Sequence, residues 1–171
     1  MDIAANLLLV RLVVGLIFAS HGAQKLFGWF GGKGLAGHAA LLERLDIRPA
    51  VPWALASGLS EFLGGLGFTV GLLMPLAASA LVGSMVVAVV RVHWSKGFWN
   101  ASGGIEYPLV LGVVAFVDGL SGPGEFSLDH ALRIALPEPA TYLWVLLLTA
   151  VVVAVSLLPA VASHHHMHRT A

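Results

Sequence analysis

Two charged residues sit inside hydrophobic runs long enough to enter a membrane: Arg11 within 7–18 and Glu61 within 51–73. A charge in hydrocarbon costs at least roughly 2.5–3.5 kcal/mol on insertion scales, so it is normally paired, hydrated or functional. At 1.5 Å per residue, Glu61 lies about ten residues in from one surface, with Arg11 about four residues further across. A long guanidinium side chain covers that offset, so an Arg11–Glu61 pair is the expected intramembrane contact. Such a pair either fixes helix register or belongs to a functional site. The competing arrangement has Arg11 reaching the opposite surface near Asp118.

A second polar group gathers where several hydrophobic runs end. His21, Gln24 and Lys25 close the first run, and His93 and Trp94 close the third. Trp99 and Asn100 follow in the loop, and Glu106 and Tyr107 open the fourth. Topology alone brings them to one membrane face. Lys25 with Glu106 is a further expected ion pair. Trp29, Trp94, Trp99 and Tyr107 suit an aromatic belt. Together the group also suits the mouth of a pocket for the head of a small amphipathic ligand, such as a quinone or lipid.

The elements that must position these residues are membrane helices. The chain has 171 residues, 58% hydrophobic and only 11% charged, with mean hydropathy +0.89. A soluble domain carries about 25% charged residues. A bilayer-spanning helix needs about 20 mostly apolar residues. Five segments serve: 4–26, 51–73, 76–94, 105–120 and 141–161. The second and third form a tight hairpin around Met74 and Pro75. Between the first two, residues 35–45 read as an amphipathic interfacial helix. Ser127 is a candidate N-cap of a short helix with Asp129 in its first turn.

On the first helix Arg11, Gly15, Phe18, Gly22 and Lys25 share one face; on the second, Ser57, Glu61, Gly64, Gly65 and Phe68 do so. Glycines at such spacing allow close helix approach, so the two stripes are expected to pack together. Basic residues concentrate at the face holding the first long loop, here called side B: Lys25, Lys33, Arg44, Arg48, Lys96 and Arg169. The positive-inside rule then places side B in the cytoplasm, with the N-terminus outside and the C-terminus inside.

Several chemistries lack their residues. With no cysteine, the chain has no dithiol centre, thiolate-ligated cluster or disulfide of its own. Zero formal net charge offers nothing for nucleic acid. The glycines of 28–34 lack the strand–helix context of a phosphate loop. His21 and His93 could face each other, but neither has a histidine partner one turn away, so no metal site is expected there. The tail 163–168, Ser-His-His-His-Met-His, could chelate a divalent metal.

The runs Arg11-Leu-Val-Val-Gly-Leu-Ile-Phe, His21-Gly-Ala-Gln-Lys-Leu-Phe-Gly and Glu61-Phe-Leu-Gly-Gly resemble the DoxX family of small bacterial membrane proteins. Asn100, Glu106 and the segment from Gly122 to Asp129 continue the likeness, which covers about residues 5 to 135. The resemblance implies an all-α, four-helix transmembrane bundle over 1–135; the fifth transmembrane helix read from the apolar run and the His-rich tail, 136–171, extend beyond that core. It marks His21, Lys25, Glu61 and Glu106 as family-like polar positions. It also implies a bacterial inner (plasma) membrane location and an association with respiratory or oxidative-stress complexes, some of them quinone-reducing. The expected role is an accessory subunit with other subunits of a membrane redox complex as partners. No cofactor is expected within the chain, and quinone is the candidate ligand. A quinone-reducing oxidoreductase subunit and a small-solute or proton channel are the alternatives. The channel would use Arg11, Glu61 and Glu106.

Overall fold

A computed structural model describes residues 3–158. The first long helix, α1, spans Ile3–Phe27. A short helix, α2 (Gly34–Arg44), follows, then α3 (Ala50–Val70). Helix α4 (Met74–Val87) continues through a wider π-helical segment, Ala88–His93, and a tight turn to Lys96. The chain returns as α5 (Glu106–Ser121), makes the single-turn α6 (Leu128–Ala131), and continues into α7 (Ala140–Leu157). Each expected span is a helix, within about three residues at its described ends. The expected end of the fifth, 158–161, lies largely outside the described residues, as does the tail.

The molecule is an all-helical membrane bundle. Ile3–Phe27, Met74–Lys96 and Ala140–Leu157 are each long and apolar enough to cross a membrane. Large apolar side chains such as Leu16, Leu63, Val113 and Leu148 stay more than half exposed on the outer surface. Water would penalise that surface, whereas lipid tails accept it.

α1 packs along α3, α3 turns back into α4, and α4 lies against both α5 and α7. The core between them holds Phe18, Phe68, Met74, Leu81, Ala115 and Tyr142. A smaller cluster, Ala39, Leu42, Ile47 and Ala54, folds α2 onto the start of α3. That burial is the amphipathic face expected of 35–45.

Glycine sets the α1–α3 register. A Cβ on Gly15 would lie 2.8 Å from the Gly65 carbonyl oxygen, and one on Gly22 would lie 2.6 Å from the Phe62 Cα. Only glycine admits such backbone contact. The turn between α3 and α4 uses the same freedom, because Gly71 has φ 64° and closes α3 in the left-handed region.

Candidate functional site

The charged residues of the first two stripes form two separate knots. At the side-B end, Lys25 Nζ lies 2.6 Å from Glu61 Oε1 and donates to Ser57 Oγ at 3.1 Å. His38 Nε2 lies 3.2 Å from the same hydroxyl. Glu61 is 2% exposed and Lys25 25%. The chain Glu61–Lys25–Ser57–His38 thus runs from α3 through the end of α1 to α2. Burial, aided by the charge of Lys25, lowers the His38 pKa to about 4. His38 is therefore a neutral imidazole at physiological pH.

The expected Arg11–Glu61 pair does not form. Gly15 packs at Gly65 and Thr69, and Gly22 at Phe62. In that register Glu61 stands across from about residue 23, and Arg11 faces the α3–α4 turn, roughly 18 Å further along the helix. Depths counted from assumed membrane surfaces miss this offset, which only the glycine contacts define. Lys25, near the end of α1, is the cation within reach. The expected Lys25–Glu106 pair is absent, because Lys25 turns to Glu61 and Ser57 on α3. Glu106 Oε2 instead accepts the Asn100 backbone N–H at 2.8 Å and closes the loop before α5.

Arg11 anchors the opposite end, side A. Its guanidinium is fully buried and donates to the carbonyls of Pro123 and, at 2.6 Å, Phe126. Asp118 and Asp129 lie near enough to act on its charge. The alternative that sends Arg11 towards Asp118 therefore describes its neighbourhood, except that the side chain stays buried. Asp129 accepts the backbone N–H groups of Leu73 at 2.8 Å and Met74 at 3.0 Å. It caps α4 across the fold, where a carboxylate meets both the orphan amides and the helix dipole. Ser127 caps its own short helix by accepting the His130 N–H.

The remaining side-B residues do not share one pocket. His21 Nδ1 lies 3.2 Å from Gln24 Oε1, and Gln24 donates to the Phe30 carbonyl at 3.1 Å. The His21 ring meets Tyr107 edge-on at 6.1 Å between centroids, bridging α1 and α5. His93 is held elsewhere, its Nδ1 2.6 Å from the Gly103 carbonyl oxygen. Trp94 and Trp99 are about two-thirds exposed, as interfacial aromatics are. The residues gather at one end of the bundle in three places: Lys25 inside, His21, Gln24 and Tyr107 on the α1–α5 edge, and Asn100 and Glu106 in the 97–106 loop, to which His93 is bonded at Gly103.

A trough of about 390 Å³, which the sequence pattern does not reveal, lies between α3, α4 and α7. Its floor is α4, from Leu76 to Val87, and its walls carry Ser57 and Ser60 on one side and Thr149 and Ser156 on the other. Ser60 on the wall meets Ser84 on the floor, hydroxyl to hydroxyl, at 3.3 Å. Three helices distant in sequence build it, so no single periodic pattern announces it. The nearest signal is the run of small residues Ala80, Gly83 and Ser84 on α4.

The family model described as DoxX matches residues 6–94, the segment that contains both Arg11 and the Lys25–Glu61 pair. The uncharacterized membrane protein Rv3486 of Mycobacterium tuberculosis (strain ATCC 25618 / H37Rv) is 31% identical over 140 residues, covering 74% of this chain and 81% of that protein. No solved structure matches the chain. Half of the chain answers to the family model, and the likeness to the mycobacterial protein extends over most of both chains, so this all-helical membrane protein belongs to the DoxX family.

Proposed function

We propose that the chain is an accessory, non-catalytic subunit of a membrane-bound respiratory or redox complex in the bacterial plasma membrane. The observation that carries this reading is the use made of the intramembrane charges. Glu61 is bonded to Lys25 and Arg11 to two loop carbonyls. Freeing one partner of a buried pair is strongly unfavourable, so these groups favour bracing the bundle over exchanging protons with a substrate. The side-B surface, rich in Lys and Arg, faces the cytoplasm in this reading.

A second reading, a quinone-reducing subunit, draws support from the α1–α5 edge. There His21, Gln24 and Tyr107 set hydrogen-bonding groups beside apolar surface, the setting a quinone head requires. A channel fits less well, because backbone contact at Gly15 and Gly22 fills the space between α1 and α3.

Capture of the full chain from its own membrane in mild detergent tests the accessory role. A larger oxidoreductase should co-purify in fixed stoichiometry. Its quinone-reducing rate should survive His21→Ala and Tyr107→Phe in this chain. A stable isolated chain without an oxidoreductase contradicts the accessory role, and a lost rate in an intact complex favours the second reading.

A further inference from the structure

We propose that the trough between α3, α4 and α7 binds one acyl chain of an anionic phospholipid from the side-B leaflet. Four observations carry this. First, the trough opens to the bilayer: Leu148 and Val152 line it and are more than half exposed. Second, its α4 floor from Leu76 to Val87 is roughly 16 Å long, about half of a 30 Å hydrocarbon core. The floor begins within a turn of the side-A end of α4, and the trough runs from there towards side B, where Ile47, Trp53 and Ser156 form its mouth.

Third, two arginines adjoin the mouth, although neither lines it. Arg48 follows Ile47, and Arg91 donates to the Leu157 carbonyl beside Ser156. The Arg91 Nε is buried and unpartnered. Asp46 faces Arg48 at 3.4 Å with both side chains more than half exposed; such a surface pair is weak and yields readily to a phosphate. Fourth, Trp53 at the mouth suits the headgroup boundary. An uncharged quinone would make no use of the two arginines, so charge favours the phospholipid.

The test is native mass spectrometry of the full chain with phosphatidylglycerol or phosphatidylcholine of the same acyl composition. The wild-type chain should retain one phosphatidylglycerol in preference to phosphatidylcholine by roughly tenfold or more, as two arginines near a headgroup imply. Arg48→Gln with Arg91→Gln should abolish most of that preference, and Arg91→Lys should keep it. Ala80→Phe and Ser84→Phe, which fill the trough, should lower retention of both lipids, with helicity checked by circular dichroism. Equal retention of the two lipids by the wild-type chain overturns the proposal. So does ubiquinone displacing phosphatidylglycerol, or retention unchanged in folded Ala80→Phe and Ser84→Phe chains. Because the accessory role rests on Arg11 and the Lys25–Glu61 pair, none of which lines the trough, failure here leaves that role standing.

Discussion

Lys25 is the residue on which the side-B knot depends. Removing one member of a buried ion pair costs about 3 kcal/mol or more, and the partial exposure of Lys25 places Lys25→Met at the low end. Arg11 differs, because its fork satisfies two carbonyls at once. A lysine offers a compact point charge in place of that fork, so Arg11→Lys should lower the midpoint of thermal unfolding in detergent nearly as much as Arg11→Met. Equal stability of Arg11→Lys and wild type would contradict the fork. His38 gives a pH signature. The unfolded chain binds a proton near pH 6.5, while folded His38 resists until about 4. Acid therefore favours the unfolded state: this contribution leaves stability intact above pH 6.5 and erodes it as pH falls towards 4. The slope of stability over that window should flatten in His38→Asn. An unchanged slope would show that His38 titrates normally.

Helix positions were legible because an apolar run of about 20 residues matches the thickness of a bilayer core. The stripes on α1 and α3 were legible too, and they do meet. Their register was not, since sliding two antiparallel helices by a few turns leaves each stripe intact. The contacts at Gly15 and Gly22 decide it. Gly22→Ala would press a methyl group against the Phe62 backbone, and such overpacking costs about 1–3 kcal/mol. Thermal unfolding should show that loss, whereas Gly31→Ala, whose added Cβ meets nothing within 4 Å, should show only the smaller strain of its φ of 78°. Asp129 illustrates a second limit. Sequence placed it in the first turn of its own short helix, but its carboxylate caps α4 from 55 residues away. Only the folding of 122–131 over the side-A end makes that cap.

For the whole molecule, the fold class and the family were readable from the sequence, while the pocket was not. The expected side-B group is one neighbourhood in topology but three places in space, and the trough arises only once α7 lies beside α4. Orientation is open to a direct check because the chain has no cysteine. A single cysteine at Lys33 should be shielded from a membrane-impermeant thiol reagent in intact cells, and one at Glu125 should be labelled. The reverse pattern would invert the assigned sides.

Whether buried charges brace this bundle is tested most directly by a double-mutant cycle on Lys25 and Glu61, read as unfolding free energy in detergent. Lys25→Met and Glu61→Leu should each destabilise, and the double variant should lose at least about 1 kcal/mol less than their sum. Additive losses, or a comparable coupling of Glu61 to Arg11 instead, would contradict the bracing role.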